Sequence, residues 1–422
     1  MDYNSLVKKE NKTNDYLLFV AYCCYLMINL SFSAHLYIGL GLFVAMLSFS
    51  LRKKDVATAT LRDIKLLFLL VYSCMILTEG LFVGGIVFTL KQFFTSFLFY
   101  SFFIFYHYFE GSDTAENREK VIKLCFALFA FFSVYNSIYY LLFPGAARRP
   151  REHALLLVSG YGLACACSIL FVFIFGYLIN GYFKDKPKQK RFVILLLILM
   201  AILIVLTQST ITMLIWIIGI VSCVYFRREN LRAFYFRIAL LPFLLAVLIF
   251  LFSYLGGFLI EVLESRVDEH RMFERLYSLG HFMKYGTEDV EASYAINRFV
   301  TPFESVKTFF KSPIFGVAYK HGSSYLHPTL FGVANHSEFP DAFANYGVLG
   351  GLPFIFMYVI QIAEILKRKI SHPSSAWIIV VVLLGCFNPL KYFAVNFVLF
   401  FFIPVLTKHM EDLNLDKEEE QS

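Results

Sequence analysis

The sequence predicts an all-α fold: a polytopic transmembrane helical bundle of about 12 helices with a long structured outer loop. Of the 422 residues, 58% are hydrophobic and 16% are charged, whereas soluble domains are about one quarter charged. Stretches such as Phe192–Leu206 and Phe243–Leu255 contain almost no polar groups. A spanning helix needs about 20 such residues, because lipid offers the backbone no hydrogen-bond partner.

The apolar runs divide the chain into predicted spans. They cover residues 15–31, 34–51, 63–79, 92–109, 119–143, 154–182, 191–206, 209–226, 233–256, 341–366, 374–387 and 390–407. Fifty Phe and 26 Tyr residues fit lipid-facing and interfacial surfaces. All eight Cys residues lie in apolar segments without a CxxC metal spacing, so we interpret them as small packing residues.

Positive charge in short loops orients the helices, because Lys and Arg favour the cytoplasmic side. The N-terminal tail and the loops 52–65, 118–123, 184–191, 227–232 and 367–369 together carry 22 Lys and Arg residues. The short loops on the opposite face carry five: Lys91, Arg148, Arg149, Arg151 and Lys391. Both termini are therefore predicted to be cytoplasmic. The net charge of +7 is explained by topology, and we expect no nucleic-acid partner.

This orientation divides the chain into four parts. Residues 1–256 form an N-terminal transmembrane bundle of about nine helices, and residues 257–340 form an extracytoplasmic loop. Residues 341–407 return to the membrane, and residues 408–422 form a cytoplasmic tail, whose acidic part Glu411–Glu420 is expected to be disordered. No cleavable signal peptide is evident, because the first residues are polar and the first apolar run is expected to remain as a helix.

The outer loop is expected to be structured. Thr301-Pro302-Phe303-Glu304 has the pattern of a helix start, with Thr as cap, Pro in the first turn and Glu completing a capping box. Beyond it, apolar and charged residues alternate with helical spacing. The apolar set is Phe299, Phe303, Val306 and Phe310, and the charged set is Glu304, Lys307 and Lys311. We expect this segment and Ile260–Ser278 to be amphipathic helices on the membrane face; the alternative is a structural lid over the bundle.

Two motifs lie in and just after this loop. One runs from Asn297-Arg298 to Lys311-Ser312-Pro313-Ile314-Phe315-Gly316, and the other is His336-Ser337, nine residues, then Gly347-Val348-Leu349-Gly350. Together with the long outer loop, they resemble the O-antigen polymerase and O-antigen ligase superfamily, the Wzy-like and WaaL-like membrane glycosyltransferases. The sequence departs from the family pattern at Ala318, where a second Gly is usual, and at Ser209-Thr210, where Ser-Arg is frequent.

The resemblance implies a GT-C-like membrane enzyme of the bacterial cytoplasmic membrane. Such an enzyme transfers a glycan from an undecaprenyl diphosphate carrier to an acceptor sugar, in O-antigen, capsule or exopolysaccharide assembly. Its partners would be the lipid-linked donor, the glycan acceptor and membrane lipid, with a chain-length regulator as an optional further partner. No cofactor is expected. The sequence has no outer DxD, HExxH or Cys cluster, so we expect no metal, and it has no Walker A motif.

The resemblance makes His336 the candidate base for the acceptor hydroxyl, with Asp341 and Glu338 close enough in sequence to share that task. Helix capping is the alternative for Ser337 and Asp341. Gly347, Gly350 and Gly351 are interpreted first as small residues that permit close helix contact.

The diphosphate needs cations, and Arg suits it because its planar group pairs with phosphate oxygens. Arg148, Arg149 and Arg151 are the first candidates, since positive residues are disfavoured on the outer face. Lipid head groups are their alternative partner. Arg298 and Arg271 are further candidates, with solvated surface charge as the alternative.

Three other functions remain open. A ligase that passes finished glycan to another acceptor has the same motifs; we favour the polymerase from the Ser337–Gly351 segment. A lipid-linked sugar flippase or other transporter also fits many spans. However, the long loop lies outside and late in the chain, and no repeat symmetry between halves is visible. A structural interaction protein would not require Arg clusters in outer loops.

Overall fold

The computed structural model describes most of the chain between residues 43 and 419. The described residues are 43–45, 47–48, 51–83, 86, 90, 93–94, 97, 100–110, 115–143, 146, 160–184, 186–225, 254–267, 271–285, 289, 291, 301–317, 337–368, 375–388, 390 and 392–419. Regular structure in these residues is helical throughout, and no strand occurs among them. The predicted all-α class is therefore confirmed for this part of the chain.

The connections between the described helices vary widely in length, and the last helix continues to Glu419, through most of the acidic segment that was expected to be disordered. They are α1 (Lys54–Arg62), α2 (Ile64–Val83), α3 (Phe102–Glu110), α4 (Ala115–Leu142), α5 (Gly160–Ile179), α6 (Pro187–Leu206), α7 (Thr210–Tyr225), α8 (Arg271–Tyr285), α9 (Thr301–Lys311), α10 (Glu338–Lys367), α11 (Ala376–Phe387), α12 (Phe393–Phe397) and α13 (Ile403–Glu419). Residues 254–263 are also helical. A short 3₁₀ segment, Glu264–Arg266, follows residues 254–263. A π segment, Val398–Phe402, joins α12 to α13.

Five helical segments are long and apolar enough to cross a membrane: Asn117–Leu142, Gly160–Ile179, Pro187–Leu206, Glu338–Lys367 and Phe393–Asp412. Three shorter apolar helices, Ile64–Thr78, Thr210–Tyr225 and Ala376–Phe387, lie among them. Predicted span 15–31, about two thirds of span 34–51 and nearly all of span 233–256 fall outside the described residues, so the count of about twelve stays a prediction.

Helix α5 is the centre of the bundle. Sixteen of its residues are buried, and it packs against α6, α7, α11 and α12. A helix that is apolar on every side requires burial on every side. By contrast, α6 exposes Phe192, Leu195, Ile198, Ile202 and Val205 along one face, as a lipid-facing helix does. Six Cys residues are described, all as free thiols. Cys125, Cys165, Cys167 and Cys223 are buried, as expected of packing residues, whereas Cys386 is half-buried and Cys74 is exposed.

A buried ionic cluster joins α2, α3 and α10 at one end of the bundle. The Lys65 side chain is almost fully buried and pairs with Glu364, and its Nζ lies 3.2 Å from Asp63 Oδ2. His107 Nε2 lies 2.8 Å from the same Asp63 oxygen. Charges buried to this extent require partners because desolvation of a charge is costly. The cluster therefore holds the ends of the three helices together.

A second ionic cluster attaches α13 to the same end. The buried Arg118 guanidinium pairs with Asp412 and donates to the carbonyl oxygen of Glu110 at 2.7 Å. Arg368 Nη1 lies 3.7 Å from Glu411 Oε2, and the Arg368 guanidinium also contacts the hydroxyl of Tyr106. We call the end that carries Lys65, Arg118 and Arg368 the basic end. It gathers the predicted cytoplasmic loops 52–65, 118–123 and 367–369, and the opposite end is called the motif end.

Candidate functional site

The two sequence motifs meet at the motif end, where α9 packs against the first part of α10. Three backbone hydrogen bonds join the chain after α9 to α10. Val317 N–H donates to the Ala344 carbonyl at 2.9 Å, Val348 N–H donates to Pro313 at 2.7 Å, and Leu349 N–H donates to Ile314 at 3.3 Å. The segments Pro313–Val317 and Ala344–Leu349 therefore form one unit, which we call the interlock.

Two glycines make the interlock possible. Gly347 has φ 59° and ψ −159°, a backbone conformation that interrupts α10 and that is essentially restricted to glycine. A Cβ atom on Gly347 would lie 2.2 Å from the Ile314 carbonyl oxygen. Gly316 has φ 74°, and its Cβ would lie 2.2 Å from the Asn345 carbonyl oxygen. Each glycine thus lets the backbone of the other segment approach closely.

These contacts change the interpretation of Gly347. It was expected to permit close packing of a continuous spanning helix, but it lies at a break in α10, where a distant segment bonds to the freed backbone. Gly350 lies beside α2, with its Cβ position 3.4 Å from Met75, but the closest atom is the Tyr346 Cβ of α10 itself at 2.5 Å. Gly351 makes room for the ring of Phe343.

The turn of the interlock is fixed locally by Ser312. Its hydroxyl donates to the Gly316 carbonyl at 2.6 Å, while Gly316 N–H donates back to the Ser312 carbonyl at 3.0 Å. The reciprocal pair closes the turn that follows α9 and holds Gly316 in its left-handed conformation. Sequence reasoning treated Ser312 only as part of a motif.

Asp341 ties the start of α10 to α9. Its carboxylate accepts hydrogen bonds from Ser337 N–H at 3.1 Å, from the Ser337 hydroxyl at 3.1 Å, and from the Ser305 hydroxyl at 2.5 Å. Ser337 occupies the N-cap position of α10, but its hydroxyl makes no capping bond to the helix backbone. Asp341 thus satisfies the terminal N–H of Ser337 from within the helix, as an acidic residue in the first turn can do. The geometry gives Asp341 a positioning role, and its catalytic role stays a prediction.

Glu338 is the first residue of α10 and is partly exposed. Its carboxylate lies within electrostatic range of the buried Tyr100 and Tyr358 side chains. Tyr358 in turn donates to Asn396 Oδ1 at 2.8 Å. A carboxylate beside buried hydroxyl groups is chemically able to take part in proton transfer, so Glu338 remains a candidate.

The other predicted site residues are described only in part. His336, Arg148, Arg149, Arg151 and Arg298 lie outside the described residues. The backbone of Arg271 begins α8, and its side chain is likewise outside the description.

Helix α8 carries an acid–base pair of its own on the predicted outer loop. His281 Nδ1 lies 2.7 Å from Asp289 Oδ2. This hydrogen bond lowers the pKa of the Asp289 carboxyl below its ordinary value, because it favours the ionised carboxylate.

A buried polar cluster lies toward the motif end, between α5, α7 and α11. Thr212 Oγ1 is 2.7 Å from the Ser209 hydroxyl and accepts from Asn388 Nδ2 at 3.2 Å. Its hydroxyl also lies 3.7 Å from Cys165 Sγ. The Asn388 Oδ1 atom is buried without a hydrogen-bond partner. Helix α11 ends against α10, since the Phe339 ring fills the space above Gly385.

The described geometry is a rigid platform rather than a complete reaction centre. Asp341 holds Ser337 at the start of α10, and the interlock joins α10 to the chain after α9. The sequence analysis did not single out Ser305. The sequence places it one turn after Pro302 and on the helix face opposite Phe303. Compared with models of known protein families and with curated proteins, the sequence matches none.

Proposed function

We propose that the chain is a membrane glycosyltransferase that polymerises lipid-linked oligosaccharide repeat units, with its reaction centre at the motif end. The observation that carries this proposal is the interlock. Two motifs separated by about 20 residues, which together resemble the polymerase and ligase superfamily, are joined by backbone hydrogen bonds and by the Ser305–Asp341–Ser337 contacts. Such joining is expected if both motifs serve one site.

In the proposed reaction, the acceptor hydroxyl oxygen bonds to the anomeric carbon while the bond from that carbon to the diphosphate oxygen breaks. The His336 imidazole accepts the hydroxyl proton, and arginine cations stabilise the departing diphosphate. Arg148, Arg149 and Arg151 are the first candidates for that role, with Arg298 and Arg271 behind them. Asp341 positions His336 through Ser337, and Glu338 is the second candidate for handling the proton.

The distribution of charge supports the proposed orientation. Lys65, Arg118 and Arg368 gather at the basic end, and Lys186 is within electrostatic range of His409 on α13. The positive-inside rule then assigns this end to the cytoplasm. The proposal accordingly includes a bacterial cytoplasmic membrane, cytoplasmic termini and an extracytoplasmic motif end, with about twelve GT-C-like helices in all.

The direct test uses the purified chain in lipid bilayers with undecaprenyl-diphosphate-linked repeat units. Longer lipid-linked chains are the expected product. Transfer only to a different acceptor, such as a lipid A core, would replace the polymerase with the ligase. Movement of the lipid-linked sugar across vesicles without a new glycosidic bond would replace the enzyme with a flippase or transporter.

A further inference from the structure

The outer surface of α9 has an unusual distribution of side chains. The face packed against the protein carries small polar residues, since Ser305 and Thr308 are buried. Two of the three Phe residues of α9 point away from the protein, since Phe303 is 61% exposed and Phe310 is 73% exposed, while Phe309 packs against Phe343 of α10. A helix that served as a lid over the bundle would bury its Phe side chains and expose its Ser and Thr residues.

The exposed part of α9 is divided into two sides. Phe303, Val306 and Phe310 form an apolar ridge at helical spacing, and all three are exposed. Beside the ridge, Lys307 Nζ pairs with Glu304 Oε1 at 2.7 Å in an exposed ion pair. Apolar and charged sides next to one another, both away from the protein, match a helix at a boundary between lipid and water.

The apolar ridge continues into the interlock and onto a spanning helix. Ile314 is 57% exposed and Phe315 is 63% exposed, and the backbone of Ile314 bonds to Leu349 of α10. Leu349 is itself exposed. The ridge therefore joins the outward apolar surface of the membrane-crossing helix without a polar gap at this contact.

The length of α10 sets the depth of this contact in the membrane. From Val348, the residue bonded to Pro313, to Lys367 at the basic end, the helix covers about 30 Å at about 1.5 Å per residue. That length equals the thickness of the hydrocarbon core, about 30 Å. When Lys367 lies at one membrane boundary, Pro313–Phe315 lies at the other. The part of α10 before Gly347 folds back along the part after it, since the Phe339 and Tyr358 ring centroids are 5.6 Å apart. Helix α9 bonds to this first part through Ser305 and Asp341, so it runs beside α10 in the leaflet at the motif end.

From these relationships we infer that the α9 ridge of Phe303, Val306 and Phe310, with Ile314 and Phe315, is inserted into the lipid of the membrane leaflet at the motif end. Lys307 and Glu304 lie on the neighbouring side of α9, which faces water. The ridge anchors the interlock at a fixed depth. This inference concerns the bilayer as partner and does not depend on glycan transfer.

The test places a tryptophan on each side of α9 in the full chain, reconstituted in bilayer discs with and without phospholipid brominated on its acyl chains. The variants Phe310→Trp and Phe303→Trp report on the ridge, and Lys307→Trp is the matched control on the charged side. The two natural tryptophans, Trp216 and Trp377, are present throughout, so the signal is the difference from the parent protein.

Brominated lipid should reduce the added fluorescence of Phe310→Trp and Phe303→Trp by about twofold or more, with little effect on Lys307→Trp. Aqueous iodide should quench Lys307→Trp instead. The inference is overturned if both ridge variants are insensitive to brominated lipid. Quenching of the ridge by iodide would then place it in water, and protection from both quenchers would place another protein surface, from this chain or a second copy, on the ridge.

Discussion

Gly316 and Gly347 lie where the two segments of the interlock cross, and the space that a Cβ on each would need is filled by the backbone of the facing segment, Asn345 for Gly316 and Ile314 for Gly347. Both have positive φ, and a Cβ on either would lie 2.2 Å from a carbonyl oxygen of the facing segment. Because the closest atoms on each side belong to the backbone rather than to a flexible side chain, an added Cβ could be accommodated only if the facing backbone moved. The relationship makes the interlock sensitive to the smallest substitution.

Gly347→Ala and Gly316→Ala should therefore each destabilise the interlock. The strained φ alone costs about 1–3 kcal/mol, and the contact with the opposing carbonyl adds to it. The measurement is the folded fraction of purified protein after heating in detergent, together with the rate of protease cleavage between α9 and α10.

Gly257→Ala is the matched control for the glycine variants. Its Cβ position has only the Lys284 side chain at 3.8 Å or more, which is ordinary van der Waals contact. It should behave as the parent protein does. If Gly347→Ala were as stable and as protease-resistant as Gly257→Ala, the interlock would not be a rigid unit.

Asp341→Ala should reduce glycan transfer by about 10²-fold, because small displacements of a reacting group have effects of that order. The substitution removes the acceptor for Ser337 N–H, the Ser337 hydroxyl and the Ser305 hydroxyl. Asp341→Asn should be intermediate, since an amide oxygen accepts but the amide nitrogen does not. The initial rate of chain extension measures the effect.

Glu304→Ala serves as the control for the Asp341 variants, because Glu304 lies on α9 with its side chain exposed. It should retain the parental rate. A parental rate and a parental pH profile in Asp341→Ala would remove Asp341 from the positioning of His336.

Lys65→Met should destabilise the basic end. The change leaves Asp63 and Glu364 without the Lys65 cation, and removing one partner of a buried ion pair costs about 3–5 kcal/mol. We expect the lower part of that range, since His107 still bonds to Asp63. Unfolding by a denaturing detergent gives the free-energy difference.

The matched substitution is Lys123→Met. Lys123 Nζ lies 2.5 Å from Glu119 Oε1, but its side chain is 72% exposed. Exposed pairs contribute about 0–1 kcal/mol, so this variant should remain close to the parent. Equal destabilisation of the two variants would show that the burial of Lys65 does not matter.

The sequence predicted the helices that a continuous apolar run or a helix-start pattern marks. Predicted span 119–143 corresponds to Ala115–Leu142, and the helix expected from the Thr301-Pro302 pattern begins at Thr301. The first helix begins four residues before the predicted span because polar residues such as Glu116 and Asn117 continue it beyond the apolar run. Hydropathy carries no information on where a helix ends within a polar extension.

The relationships between distant segments were not predictable. Gly347 resembles any small residue of a spanning helix, and only the approach of Ile314 explains its positive φ. Lys65 was counted as a topology signal, but its partner Glu364 is 299 residues away. Long-range pairing depends on helix packing, which a single sequence does not show.

The most direct test of the central claim compares His336→Ala with His327→Ala in the chain-extension assay. His327 lies in the same predicted outer loop and has no assigned role. Glycosidic-bond formation should be lost in His336→Ala, while the protein still inserts into the membrane and elutes as the parent does, and His327→Ala should extend chains normally. Parental product from His336→Ala would contradict glycan transfer at the motif end by this mechanism.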